Sequence, residues 1–389
     1  MSTLTAAVYT ASERSDAAGM DLGTQLREAL GGVSPDAAIL FASSRFDYAA
    51  LLAAFNDTCH PAVLVGASSA GEFVRGQRGE GSACAIAITS DQMKFAAAVG
   101  RNVTADRAAA AQEVVRSFAG LGNDSHPHRT ALVMTDALAG HADELIEHLT
   151  LATSGRYQFA GGGAGDDAKF SKTHVFCGTA AYTNAVVALE ILSTKPVGIG
   201  VGHGWTPASD GLRVTAVEGS KVISLNGLPA ADAFQEHAES TGQLFDRSQP
   251  LPFFLHNILG IETGDGHRLR VPLAVDDSGA VICAAEVPLG ATVHVMKTTS
   301  QSAIAAAQNA TQSALAGLRG EKPSAALFFD CVATRLRMGD DFGFEVDSVG
   351  AALGEATLVG CNTYGQIARA EGQFGGFHNC TAVVLVLPS

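Results

Sequence analysis

Short apolar runs set the rhythm of the chain. Residues 38–42 (Ala-Ile-Leu-Phe-Ala), 131–135 (Ala-Leu-Val-Met-Thr) and 325–329 (Ala-Ala-Leu-Phe-Phe) have the length and continuity of buried strands. The first two are followed by segments with helical apolar spacing, at 48–55 and 142–149. Helical runs also precede the strands, at 22–30, 105–118 and 300–318; Gly320 and Pro323 end the last of these. A phrase recurs after them. Val65-Gly66 leads through Ser68 and Ser69 to Gly71-Glu72-Phe73, then to an apolar run at 83–88. Val359-Gly360 leads through Asn362 and Thr363 to Gly365-Gln366-Ile367, then to an apolar run at 380–387. A weaker copy starts at Phe159, passes Gly161 and Gly165-Asp166, and leads to 185–191.

The pattern predicts an α-β-α-β-turn-β unit used about three times. Between the second and third copies, residues 200–297 alternate apolar and polar positions with Gly, Pro and Asp-Gly turns. That region reads as mainly β, with one helix near 229–239. The expected fold class is α/β (mixed α+β): mixed sheets flanked by helices, with a β-rich section in the C-terminal half.

Composition narrows the function classes. The 389 residues are 47% hydrophobic and 16% charged, which excludes intrinsic disorder, collagen and coiled coil. The length predicts two or three domains. A net charge of -14, with no dense Lys/Arg cluster, argues against nucleic-acid and anionic-lipid partners. The seven cysteines are scattered, form no Cys-x-x-Cys pair and mostly sit in apolar runs, which reads as a reduced compartment. The first residues lack a signal-peptide pattern, and the uncharged stretch 173–189 is too polar to span a bilayer. A cytoplasmic protein without membrane insertion is expected.

The glycine turns are the first chemical candidates. Glycine lets backbone N–H groups face a ligand, and Ser68, Ser69, Asn362 and Thr363 add hydroxyl and amide groups. The alternative is a tight connection that only the fold needs. No phosphate loop of the Gly-x-x-x-x-Gly-Lys-Ser/Thr type occurs, and Asp166 stands where a dinucleotide fingerprint needs its last glycine. The run 66–71 nearly spells a nucleophile elbow around Ser68, but Ala70 holds the last glycine position. A Cys331–His378 thiol pair is conceivable, although Asp330 beside Cys331 is expected to raise the thiol pKa. Binding rather than catalysis is the expected activity.

Several phrases resemble the FIST family of bacterial sensory domains. The Val-Gly-x-x-x-x-Gly-Glu turn at 65–72 resembles its N-terminal half. Val214-Thr215-Ala216-Val217-Glu218-Gly219 leading to Leu225-Asn226-Gly227-Leu228-Pro229, Ile258-Leu259-Gly260-Ile261, Val287-Pro288-Leu289-Gly290, Asp330-Cys331 and Phe377-His378-Asn379-Cys380-Thr381 resemble the second half. Two departures stand out: Gln366 occupies a position expected to be acidic, and Arg335 is displaced from a Cys-x-Gly-Arg pattern.

The resemblance implies an N-type domain over 1–200 and a C-type domain over 201–389. It implies a signal-input protein that binds a small ligand and regulates a separate histidine kinase or a cyclic-di-GMP pathway. Proteins of this form resemble the nitric-oxide sensing group, which implies haem b held by one histidine in an apolar pocket. By apolar surroundings the candidates are His256 (after Phe253-Phe254-Leu255), His378 (after Phe374-Gly375-Gly376-Phe377), His294 and His203, with His256 favoured as the iron ligand. Without haem, the pocket takes an amino acid or related metabolite, and Gly66, Ser68, Ser69, Arg75, Cys361, Asn362 and Thr363 carry the specificity. A minor hydrolase is the remaining alternative, and assembly as a homo-oligomer is compatible with any of them.

Overall fold

The computed structural model describes residues 3–122, 125–264, 266–370 and 376–389; of the residues singled out above, Phe374 and Gly375 lie outside this range. One unit is built three times. The first copy runs strand Leu4–Thr10, helix Ser15–Ala29, strand Ala37–Ser43, helix Tyr48–Cys59, strand Leu64–Ser69, a hairpin (Glu72–Val74 and Gln77–Gly79) and strand Ala83–Thr89. The second runs Met93–Arg101, helix Arg107–Arg116, His128–Thr135, helix Ala142–Ala152, Gln158–Gly163, a hairpin (Val175–Cys177 and Ala180–Tyr182) and Ala185–Ser193. The third opens with Gly198–Gly202 and resumes at helix Ser300–Gly317. It continues through Pro323–Cys331, helices Val332–Met338 and Phe342–Ala352, Thr357–Thr363, a hairpin (Gln366–Arg369 and Phe377–His378) and Ala382–Pro388.

Each copy has the same sheet. The last strand lies antiparallel between the first and second, and the second pairs in parallel with the third. The hairpins do not stay at home. The first copy's hairpin extends the third sheet, the second copy's extends the first sheet, and the third copy's extends the second sheet. The three sheets are thereby tied into a ring.

The inward faces share one apolar core, in which Phe41, Val65, Leu132, Met134, Leu189, Phe329 and Leu385 meet. Phe41 and Phe329 pack edge to face across it at 5.7 Å, a geometry worth about 1 kcal/mol beyond the area buried. Helices cover the outer faces. They start where side chains satisfy their free N–H groups: Asp47 accepts from Ala49 and Ala50, and Thr299 forms a capping box with Ser302. No described helix is long and apolar enough to cross a membrane.

The recurring glycines are explained by strand approach. Gly66, Gly161 and Gly360 pair with Leu40, Val133 and Phe328 of the neighbouring parallel strands. A Cβ on each would fall 1.9, 2.0 and 2.2 Å from the partner's carbonyl oxygen.

The predicted repeat is present, but it omitted the opening strand of every copy and both helices after Cys331. Leu4–Thr10 and Met93–Arg101 mix buried and half-buried positions without clean alternation. Gly198 and Gly200 leave room for the carbonyls of Ala314 and Ala310, which brings helix Ser300–Gly317 against their strand. The two helices are broken at Gly339. The β-rich section is inserted into the third copy, between its first strand and its first helix. It folds on its own sheet around Phe234, Phe253 and Phe254, with one longer helix at Ala230–Thr241, as the alternation predicts. Arg270, 1% exposed, anchors this section to the second copy through the Asp143 carboxylate at 2.5 Å.

Candidate functional site

The parallel strands of the third copy end at Cys331 and Thr363, and two cavities open there. The first, about 620 Å³, lies between the hairpin received from the first copy and helix Val332–Met338; its polar lining includes Glu72, Arg78, Glu80, Arg335 and Asn362. The main chain of Asn362 is fixed: its N–H donates to Gly71 O at 2.8 Å and its carbonyl accepts from Ala70 N at 3.0 Å. Its side chain is buried, 1% exposed, and neither Oδ1 nor Nδ2 has a hydrogen-bond partner. Arg335 pairs with Glu80 through one terminal nitrogen, while its buried Nε is also unpartnered. Gly71, at φ +140°, makes this convergence feasible: a Cβ there would lie 2.7 Å from Asn362 Oδ1 and 3.4 Å from Arg335 Nε.

Glu72 forms the inner wall. One of its carboxyl oxygens accepts from Ser69 Oγ at 2.5 Å; the other accepts from Ser82 Oγ at 2.6 Å and Ser82 N at 3.2 Å. Burial pushes its pKa up to about 7 against these donors. By strand register the same position of the other copies' hairpins holds Val175 and Gln366. Gln366 repeats the bridge, donating to Thr363 Oγ1 and accepting from Thr381 N. The departure from an acid at 366 therefore keeps the hydrogen bonds and removes the charge.

The second cavity, about 110 Å³, lies where the second copy, the β-rich section and the third copy meet. Leu138, Phe170, Leu255, Leu273, Leu336 and Phe377 make it apolar, and Cys331, Tyr364 and Asn379 supply polar atoms. Phe170 and Tyr364 stack at 4.4 Å, and the Tyr364 hydroxyl donates to Asp166. Asn379 is 2% exposed, and its Oδ1 has no partner. The expectation that Asp330 raises the Cys331 thiol is overturned. The Cys380 S–H donates to the Cys331 sulfur, and against burial this bond, the N–H groups of Cys380 and Ala333 and the Gln366 side chain hold the thiol down at about 6. Asp330 accepts the Cys331 N–H at 2.6 Å, and burial beside Glu345 pushes its own pKa well up, towards the neutral form.

Of the seven ligand-binding residues predicted, Asn362 alone lines the polar pocket, and Ser69 acts on it through Glu72. Gly66 is occupied by the approach to Leu40. Ser68 Oγ is bound to the main chain of His174, with no imidazole in reach as a base. Arg75 donates to the carbonyls of Gly350, Gly354 and Ala356. Cys361 is enclosed in the core. Thr363 Oγ1 bonds to Asp330 O and Gln366.

The four histidines do not form a haem pocket. Both ring nitrogens of His203 are engaged, with His267 O and Trp205 N. His294 bonds Ser209 O, and His378 bonds Ala368 O, with burial pushing its pKa down to about 4. His256 is exposed. None of them lines the apolar cavity, whose one imidazole among the described residues, His141, faces Glu286 at 2.6 Å. The cavity, about 110 Å³, is below the roughly 300–1,000 Å³ usual for a cofactor site.

Sequence reasoning missed Glu72, Arg78, Glu80 and Asn379 as site residues. Arg335 had registered only as a displaced arginine, and Cys380 only within a family phrase.

Comparison with known proteins places these elements in a family. No curated protein matches the chain. Two solved structures align along nearly its whole length. One is a cyanuric acid hydrolase, 11% identical, covering 100% of both chains with a TM-score of 0.32. The other is the cyanuric acid hydrolase from A. caulinodans, 10% identical, covering 99% of both with a TM-score of 0.32. At that score the likeness carries no weight for fold or chemistry. The FIST N domain matches residues 36–228, and the FIST C domain matches residues 230–369. Together they span most of the sequence, and the chain belongs to the FIST family of signalling sensor domains.

Proposed function

We propose that this protein is a signal-input module that binds a small zwitterionic metabolite, an amino acid or a close relative, in the polar pocket beside Asn362. It reports occupancy to a separate signalling enzyme, a histidine kinase or an enzyme of cyclic-di-GMP metabolism. The unpartnered Asn362 amide carries this reading. Leaving a buried polar group unpaired costs about 1–3 kcal/mol, so the vacant positions ask for a partner. A ligand carboxylate accepts from Asn362 Nδ2 and Arg335 Nε; a ligand ammonium donates to Asn362 Oδ1 and faces Glu80 and Asp340 at the rim. The pocket also suits a signal. Its hairpin wall comes from the first copy and its helix wall from the third, so a bound ligand favours one arrangement of the two.

The test is a thermal-shift and calorimetric screen of amino acids and dicarboxylates. A hit should lose at least tenfold in affinity in Asn362→Leu. The same variant, freed of an unsatisfied amide, should melt at or above the parent temperature, a gain of about 1 kcal/mol. Ligand-induced stabilisation that survives Asn362→Leu unchanged would remove this pocket as the site.

A further inference from the structure

Cys331 and Cys380 stand apart from the other cysteines. Cys59, Cys84, Cys283 and Cys361 are buried, with thiol pKa values raised chiefly by burial. Cys331 is equally hidden from bulk solvent, yet its side chain lines the apolar cavity. The fold does not require a thiol at that place. The equivalent positions, set by the strand register of the other copies, hold Ser43 and Asp136. Cys380 is held in the left-handed conformation at φ +48°, a region that costs a residue with a Cβ of order 1 kcal/mol; in the first copy the matching turn has Gly81 at φ +69°. That turn brings its S–H onto the Cys331 sulfur. At the same wall the unpartnered Oδ1 of Asn379 needs a hydrogen-bond donor. The cavity thus offers an apolar sleeve, one acceptor and a sulfur that is ionised near neutral pH.

We propose that Cys331 is a reactive thiol that reduces apolar organic hydroperoxides entering this cavity, with Cys380 as its resolving partner. The hydroperoxide O–H donates to Asn379 Oδ1 while the organic group lies against Leu138, Leu255 and Leu336. The Cys331 sulfur attacks the terminal, hydrogen-bearing oxygen and the O–O bond breaks. The alkoxide leaves and takes up the proton that the thiol released, giving an alcohol and a sulfenic acid on Cys331. The Cys380 sulfur then attacks the Cys331 sulfur, water departs, and a disulfide remains. Two thiols are oxidised by two electrons in total and one hydroperoxide is reduced. Its lining shares Leu336 with the polar pocket, and its chemistry does not require the ligand proposed there.

The test treats the reduced full chain with cumene hydroperoxide and maps its cysteines by non-reducing peptide mass spectrometry. Cys331 should oxidise several-fold faster than the half-buried Cys177, and a Cys331–Cys380 linked peptide should accumulate. Cys380→Ser should stop at a Cys331 sulfenic acid that dimedone captures. Leu336→Trp, at the half-exposed rim, should slow cumene hydroperoxide several-fold and leave the rate with hydrogen peroxide unchanged. Cys331 staying reduced while Cys177 oxidises would overturn the proposal. So would disulfides that join other pairs, or a Leu336→Trp effect that is equal for the two peroxides.

Discussion

Glu72 and Asp166 each follow a glycine beyond the third strand of their own copy, yet the fold sets their protons in opposite directions. Asp166 accepts from three main-chain N–H groups, those of Phe170, Ser171 and Lys172, and from the hydroxyls of Ser171 and Tyr364. Burial pushes its pKa up, but these donors outweigh burial and leave it below the usual carboxylate range. Glu72 has one main-chain donor and two serine hydroxyls, and burial prevails. Both acids are buried close to a third strand; the donors that the surrounding chain supplies dictate whether each is charged. The first copy thereby acquires a wall that titrates near neutrality, and the second acquires a fixed anion.

The comparison assumes that the copies are equivalent, and the glycines test that assumption most severely. Gly66→Val and Gly360→Val should each cost roughly 3 kcal/mol or more, because the new side chain meets a neighbouring carbonyl oxygen that cannot retreat. Soluble yield and melting temperature measure this. If one copy tolerates the change and another collapses, the shared close approach is not what the repeat needs.

Next in size is Glu72→Gln. The folded-state pKa is raised from 4.5 to about 7, so the stability tied to the neutral carboxyl is complete below pH 4.5 and lost as pH rises through 7. The loss above pH 7 is about 3 kcal/mol. Chemical denaturation across this window should show a steeper fall in the parent than in Glu72→Gln, in which Asp330 and Glu345 still titrate. Equal slopes in parent and variant would mean that Glu72, like Asp166, stays ionised across this window.

Asp166→Asn should act with the opposite sign. Its pKa is lowered from 3.8, so its contribution is present above that value and fades as pH falls through the folded-state value. The variant should lose about 1–2 kcal/mol at neutral pH, and its disadvantage should shrink in acid. The same pair of denaturation series measures both effects.

The parts of the fold written in contiguous apolar runs could be read directly. Residues 38–42, 131–135 and 325–329 lie inside strands because a strand buried on both faces needs no alternation. The opening strands could not, because their burial is mixed or their glycines answer to a helix far along the chain. Within the site, Asn362 stood out as an amide inside a glycine turn. Arg335 stood out only as displaced from a family pattern, because its helix is short and ends at Gly339. Glu72 and Glu80 reach the pocket through or beside a hairpin paired to a distant unit, and neither period nor spacing along the chain reports such an exchange. Apolar neighbours along the chain do not report where a histidine lies: Phe253 and Phe254 are in the core and His256 is exposed.

The exchange of hairpins also constrains how the molecule is made. During synthesis the hairpin at 72–79 emerges early, while the edge it completes, Thr357–Thr363, emerges among the last strands. Until then both edges are open to pairing with whatever strand lies near, including the same strand of another chain. Closure of the ring is thus a late event that requires every copy, and a nascent or truncated chain is the form most exposed to misassembly. Once the ring is closed, no copy can leave without unzipping two sheets.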